Sequence, residues 1–449
     1  MKYTRITLYI FSILYYNKQR CTKKEEENLW KIKEWGGITL HIIPTNLFKT
    51  NLLAVFLTMP LERKTVTKNA LITAVLRRGT MQMPTQESIS QNLEQMYGAA
   101  FDCGIEKIGD NHTIKFYLET INDKFLPKQE NNLVKGMETL LDIVFNPLVE
   151  EGMFKQQYLQ EEKNSLKQMI EGKIDNKGMY ALERCIEEMY KDKPYGLYKL
   201  GYIEDLEQIQ SKELYSYYQE MIENCKVDIF ISGEIEPQIV EQIKTNVNLQ
   251  KLNSRKKIIA QDNELKPEIT TPKEIQENMQ ITQGKLIIGL DVQAEEKQVG
   301  YITSLYNTIL GVGANSKLFQ NVREKASLAY TASSSYIKRK QNIFIRAGIE
   351  IENYEKALAI IKQQLEDMKK GAFSEEDIQK AKNLVIATIE NIPEEQDTQL
   401  TYYFGQELTN TQISIEEYKQ KIQEVTKKQI VDIANKIQID TIFFLNGEN

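Results

Sequence analysis

Dense or alternating apolar runs recur along the chain and predict β-strands. They are "GGITLHIIP" at 36–44, "NLLAVFLTMPL" at 51–61, "KVDIFISGEI" at 226–235, "GKLIIGLDV" at 284–292 and "IDTIFFLNGEN" at 439–449. Between them the apolar positions fall three and four apart, which predicts amphipathic helices. Two of these helices lead into strands in the same way. "SKELYSYYQEMIENC" runs into the strand ending at Gly233, and "TKKQIVDIANKIQ" runs into the strand ending at Gly447. A second echo keeps the same order: the turn and helix beginning at Leu148 resemble those beginning at Ala372. A repeat of this size is a duplicated domain, since solenoid units recur every 20 to 50 residues.

The pattern divides the 449 residues into an N-terminal extension (1–35), a first domain (36–246), a linker (247–280) and a second domain (281–449). The linker is polar, holds Pro267 and Pro272, and shows no sustained apolar period. Strands at both ends of each half with helices between them predict an α+β fold. Its form is two tandem homologous two-layer α/β sandwich domains, each a sheet backed by helices, facing one another.

Composition narrows the partners. A hydrophobic fraction of 41% and a charged fraction of 27% fit a soluble globular chain. The net charge is −6, and the one compact basic run, "SRKK" at 254–257, falls in the linker, which argues against nucleic acid. The apolar run from Ile6 to Tyr16 is too short to cross a bilayer and precedes no small-residue cleavage site, so neither a membrane nor a secretory route is expected. Cys21, Cys103, Cys185 and Cys225 lie far apart, which predicts free thiols in a reducing, cytoplasmic setting.

Several chemistries fail on residue type alone. The two histidines, His41 and His112, lie in separate strand-like runs with no Cys, Asp, Glu or second His at ligand spacing, so structural roles are expected for both. No G-x-S-x-G nucleophile elbow is present. "GVGANS" at 311–316 ends in Ser where a dinucleotide fingerprint needs Gly, and it follows a helix where that motif needs a strand. The acidic runs "EEE" at 25–27 and "PEEQD" at 393–397 read as solvated or helix-starting charge.

Three stretches together resemble the pitrilysin and insulinase family of zinc metallopeptidases, of the processing-peptidase type. They are "RRGT" closing the helix of "KNALITAVLRRGT" at 68–80, "DKPYGLYKLGYIEDLEQIQSKELYSYYQEMI" at 192–222 and "GVGANSKLFQNVREKASLAYTASSSY" at 311–336. The resemblance covers nearly the whole chain after about residue 36. It implies the paired α/β sandwich architecture that these peptidases share with LuxS. It also implies an inverted H-x-x-E-H zinc motif on the helix before Gly79. Ala70 and Ala74 occupy the two histidine positions, Thr73 the catalytic glutamate and Met169 the third ligand, while Glu162 keeps the family's preceding glutamate. Alanine has no lone pair, and a lone thioether is a poor zinc ligand. Without a metal nothing lowers the pKa of water from about 15.7 towards 7. The resemblance therefore implies a chain with no metal or cofactor of its own and no catalytic residue, zinc being expected in a partner.

The same resemblance implies substrate contacts from Arg323 and Tyr330 in "NVREKASLAY", matching an arginine and tyrosine that active members use at the cleft. A guanidinium and a phenol both donate to a peptide carbonyl or its oxyanion. The implied function is a zinc-free, non-catalytic subunit of a heterodimeric metallopeptidase, paired with a homologous zinc-bearing subunit and a peptide or protein substrate. The alternative is a structural or peptide-binding scaffold with no part in proteolysis. "LHIIPTNLFKTN" at 40–51, together with the erased motif, is similar to Gram-positive proteins associated with 5-aminopentanol modification of elongation factor P.

Overall fold

The computed structural model describes residues 31–236, 238–252, 259, 269, 271–294 and 299–448. The run Ile6–Tyr16, Cys21, "EEE", "SRKK" and Pro267 lie outside the described residues. The first sheet is built from β1 (Lys31–Trp35), β2 (Ile38–Pro44), β3 (Thr50–Pro60), β4 (Ala100–Ile108), β5 (Asn111–Ile121) and β8 (Lys226–Gly233), while β6 (Val149–Glu150) and β7 (Met153–Phe154) form a small separate hairpin. Its order is β1-β2-β8-β3-β5-β4, with only β2 and β8 parallel. The second sheet uses β9 (Lys273–Met279), β10 (Gly284–Val292), β11 (Ala329–Ile337), β12 (Asn342–Ile349) and β13 (Ile437–Gly447) in the order β11-β12-β10-β13-β9. Here only β9 and β13 run parallel.

Read from the opposite edge, the second sheet repeats the first without β1. The order β9-β13-β10-β12-β11 matches β2-β8-β3-β5-β4, and the parallel pair falls at the same place. The final strands β8 and β13 end at Gly233 and Gly447, the two glycines that align in sequence. The fold is a two-domain α/β sandwich.

Two strands lie in stretches that the sequence pattern reads as extension and linker. β1 pairs antiparallel with β2 inside residues 1–35, and β9 pairs with β13 inside 247–280, so boundaries drawn at 35 and 280 separate strands from their sheets. The physical reason is edge position. β9 reads "KEIQENM" and leaves Lys273, Glu274, Gln276 and Asn278 exposed, as an edge strand facing water should. Such a strand carries no apolar run to betray it.

The main helices are α1 (Val66–Leu76), α2 (Gln156–Glu171), α3 (Lys177–Met189), α4 (Ser211–Asn224), α5 (Val299–Gly311), α6 (Glu375–Glu390), α7 (Gln396–Thr409) and α8 (Lys427–Ala434). α1, α2 and α4 cover one face of the first sheet, and α5, α6 and α8 the matching face of the second. The other face of each sheet is covered by the opposite half. α7 buries Leu400, Tyr403, Phe404 and Leu408 against Ile43, Ala54, Phe56 and Phe230. α3 buries Ala181, Cys185 and Ile186 against Ile287, Phe344, Phe443 and Leu445. Gly289 marks how closely α3 approaches, because a Cβ there would stand 2.9 Å from Met189 Sδ. A buried ion pair, Lys340 Nζ to Asp110 Oδ2 at 2.8 Å, joins the β11–β12 turn to the β4–β5 turn.

Phe404 is 1% exposed, with its ring centroid 4.2 Å from that of Phe56 and 6.1 Å from that of Phe230. Phe404→Ala should therefore cost ~3–5 kcal/mol, the usual range for a buried phenylalanine. Leu384→Ala, at an exposed site, should stay within about 0.5 kcal/mol of wild type. Urea unfolding of the two variants beside the parent checks both values.

Candidate functional site

α1 is buried almost all round because it is wedged between the sheet and α2. Val66, Ala70, Leu71, Ile72, Val75 and Leu76 are buried along it. Thr73, where the sequence resemblance places a catalytic glutamate, donates its hydroxyl back to Asn69 O at 2.9 Å. That bond spends the hydroxyl within its own helix. The turn after α1 is held by Thr80 N to Met83 O at 2.7 Å and by Leu148 N to Gly79 O at 3.1 Å. Gly79 is required there, since a Cβ would lie 2.7 Å from Pro84 O. Arg78 leaves the turn to bond Glu162 Oε1 at 3.2 Å and, more closely, Glu161. Glu162 is thus buried and neutralised against an arginine.

Ala70, Thr73, Ala74, Glu162 and Met169 line one cavity of about 790 Å³. The residues that the resemblance aligns with metal ligands are brought together, but two are alanines and the third is a thioether on a half-exposed side chain. These residues do not fit a zinc ion. Other residues of this cavity lie beyond the reach of local sequence reasoning. Cys103 enters from β4, its thiol facing Thr73 O at 3.8 Å and pushed up to about 11 by burial. Asp397 and Thr401 enter from α7 of the second half. Asp397 belongs to the "PEEQD" run, and only the crossing of α7 over the first sheet brings it here.

Arg323 and Tyr330 lie together in a separate recess of about 350 Å³, which shares no lining residue with the first. Arg323 sits on a π-helical turn, Phe319–Lys325, with its guanidinium carbon 4.6 Å from the Phe319 ring centroid and its Nε 3.6 Å from Glu324 Oε1. Tyr330 occupies the register shift between Ala329 and Thr331, where β11 bulges against β12. It is 59% exposed, and its hydroxyl donates to the Glu350 carboxylate. That hydrogen bond to an anion raises the phenol above its ordinary pKa. Nothing in the local sequence links Glu350 to Tyr330, because the contact arises from β11–β12 pairing.

The two histidines take different surroundings. His112 on β5 accepts from Asn69 Nδ2 through Nδ1 at 3.1 Å and donates from Nε2 to Lys199 O at 2.9 Å. His41 meets acidic groups that sequence spacing does not bring near it. Its Nε2 donates to Asp228 Oδ1 at 2.9 Å, and Glu407 of α7 completes a group whose ligand atoms lie within 4.8 Å of one another. Lys226 Nζ lies against Asp228 and 2.8 Å from Glu407 Oε1. Burial alone would raise the Asp228 carboxyl, but the His41 hydrogen bond and the Lys226 charge outweigh it and the net shift is down. A protein ammonium therefore occupies the cation's place, between the two halves.

Comparison with known proteins decides the family. Residues 208–385 match the model described as "Peptidase M16 inactive domain". The chain is 35% identical over 417 residues to "Probable inactive metalloprotease YmfF" of Bacillus subtilis (strain 168), covering 92% of this chain and 96% of that one. It belongs to the M16 family, among its inactive metalloprotease homologues. A solved structure, "conserved protein from Enterococcus faecalis V583", superposes with a TM-score of 0.86 at 27% identity, covering 94% of this chain and 99% of that one. A second B. subtilis relative, "Uncharacterized zinc protease YmfH", is 24% identical over 161 residues, covering 33% of this chain and 36% of that one. The M16 architecture is thus present, and α1, where the sequence resemblance places a zinc motif, carries no His, Cys, Asp or Glu. Among the described residues no helix is long and apolar enough to cross a membrane, and Cys103, Cys185 and Cys225 are free.

The His112 environment has a pH signature. Burial holds its pKa down at about 4, against an ordinary value near 6.5. The unfolded chain therefore binds the extra proton between these values. The stabilisation is complete above about pH 6.5, falls as pH drops towards 4 and levels below it. His112→Gln should flatten this part of the profile, removing at most about 3 kcal/mol of acid-dependent loss. Chemical denaturation of both proteins from pH 7 to pH 4 reads the difference in slope.

Proposed function

We propose that the chain is the zinc-free subunit of a two-subunit M16 metallopeptidase, lending Arg323 and Tyr330 to a peptide bound at the zinc of a homologous partner. The observation that carries this reading is the contrast between the two recesses. The first carries Ala70, Ala74 and Met169 where the resemblance places metal ligands, whereas the second presents two hydrogen-bond donors, partly open to solvent, in one concavity. Neither donor contributes to a core, so packing offers no competing explanation for their position. The likeness to one B. subtilis relative named inactive and another named a zinc protease supports a division of labour between paired chains. The cytoplasmic setting and the peptide substrate belong to the same reading.

The similarity to proteins associated with elongation factor P extends the proposal to a pathway. Deletion of the gene should then abolish 5-aminopentanol modification of that factor, as read by intact-protein mass spectrometry. Unchanged modification would remove this extension and leave the pairing untouched.

The pairing has its own test. The purified chain should contain no stoichiometric zinc by elemental analysis and cleave no peptide, yet activate the co-expressed zinc homologue. Arg323→Ala should lower kcat/KM of the pair by about a hundredfold, the order seen when an oxyanion donor is lost, without dissociating the complex. Zinc-dependent hydrolysis by the single chain, or full activity of the Arg323→Ala pair, would sink the proposal.

A further inference from the structure

The duplicated sheets can be compared position by position, because β4–β5 and β11–β12 share one register at their turns. Ile108 faces Asn111 in the first sheet, and Ile337 faces Asn342 in the second. Counting from those pairs, Lys115 of β5 corresponds to Arg346 of β12, and Glu106 of β4 corresponds to Ser335 of β11. Each cation is opposed by a small residue, Gly104 for Lys115 and Ser333 for Arg346. Lys115 is buried and answered across the diagonal by the Glu106 carboxylate. The second sheet keeps the cation and lacks the carboxylate.

Side-chain alternation puts Arg346 on the face that meets α3, since Phe344 packs there while Ile343, Ile345 and Ala347 enter the core on the other side. Arg346 is half-buried, its Nε is buried without a partner, and no carboxylate of the described residues pairs with it. A buried N–H left unmatched is costly, and the Nε edge of a guanidinium is one that a carboxylate can engage with two parallel hydrogen bonds. Lys285 lies on the same face of β10, opposite Gly348 and therefore diagonal to Arg346, a separation of roughly 7–8 Å that two long side chains can close. Its ammonium donates to Gln283 Oε1, pairs with no carboxylate of the described residues, and is lowered from its ordinary pKa by burial. Gly348 offers no side chain beside the two cations, and a Cβ there would stand 3.1 Å from both Gln283 Oε1 and Thr331 Oγ1. Thr331 and Ser333 of β11 flank the same spot with hydroxyls. Acids elsewhere on this side are already engaged: Glu350 accepts from Tyr330, and Glu277 of β9 accepts from Tyr180 and Arg184. β11 is the edge of the sheet and α3 packs over its centre, so this spot opens sideways to solvent.

We infer that Arg346 and Lys285 form a carboxylate-binding subsite over Gly348, which takes an acidic side chain or the C-terminal carboxylate of a bound polypeptide, with Thr331 and Ser333 as further donors. The first sheet carries its carboxylate in its own chain, at Glu106; the second receives one from the ligand. The inference rests on the proposed reading only in taking a polypeptide as the ligand, and its residues line neither recess described above. Arg346 and Lys285 are specificity residues and take no part in bond cleavage.

The test uses the full chain alone, without the zinc homologue. The probes are decapeptides of alanine and glycine labelled with fluorescein at the N-terminus: one with a central glutamate and an amidated C-terminus, one with a central glutamine and an amidated C-terminus, and one with a central glutamine and a free C-terminus. Fluorescence anisotropy should show at least one carboxylate peptide binding about tenfold tighter than the glutamine amide, and which of the two does so identifies the source of the carboxylate. Arg346→Met should bring all three affinities within about twofold, with Arg346→Lys restoring part of the gap. Ser335→Glu writes the Lys115–Glu106 pair into the second sheet. It should abolish the preference while leaving the urea midpoint unchanged or raised, so a loss of binding cannot be ascribed to unfolding. Equal binding of the three peptides, no binding of any, or a preference that survives both Arg346→Met and Ser335→Glu overturns the inference. An Arg346-dependent preference in a chain that never activates a zinc homologue removes the pairing and keeps the subsite. Activation without the preference does the reverse.

Discussion

The structure depends on a reciprocal exchange of helices. α7 leaves the second half to cover the first sheet, and the topologically equivalent α3 leaves the first half to cover the second sheet. A sheet with helices on one face alone would leave Phe56 and Phe230 on one side, and Phe344 and Phe443 on the other, facing water. Burying each of those rings is worth roughly 1.5–3 kcal/mol relative to exposure, so neither half is complete by itself. The buried polar contacts between the halves add geometry more than energy. Lys340–Asp110 and the Lys226–Asp228–Glu407 group must recover the desolvation of their charges before they contribute. Their value is to fix how the halves meet, because a slip of either helix would leave a charge buried without its partner.

That exchange also shapes the cavity beside α1. α7 brings Asp397 and Thr401 to the rim of a cavity whose floor is α1 and whose wall is α2. A peptidase cleft would need imidazoles and carboxylates at this floor, and those groups would have to be desolvated beside Leu166 and Ile105. Alanines at 70 and 74 avoid that cost and extend the apolar packing of α1. The helix is consequently better suited to its own fold than a metal-binding version would be. Gly79 and the Arg78–Glu162 pair persist for structural reasons, one because Pro84 O leaves no room for a Cβ and the other because Glu162 is buried.

What could be read from the sequence follows the same physics. The dense strands and the shared Gly233 and Gly447 endings were legible because each is a local pattern or a fixed spacing. β1 and β9 were hidden, since edge strands alternate charged residues and carry no apolar run. His41 was read without partners because Asp228 lies 187 residues away and Glu407 arrives on the exchanged helix. Asp397 and Glu350 were missed for the same reason: a neighbour created by strand pairing or helix exchange leaves no trace in local spacing.

The two recesses also differ in what the fold asks of them. Apolar residues along α1 are favoured by burial. Arg323 and Tyr330 lie at the opposite extreme. One stacks on an exposed turn and pairs loosely with Glu324, and the other stands 59% exposed on a bulge that interrupts β11. A bulge sacrifices ladder pairing, and an exposed tyrosine returns little packing in exchange. Tyr330 and Arg323 thus stand in the open on a bulge and a turn, while Ala70 and Ala74 sit on the packed helix α1.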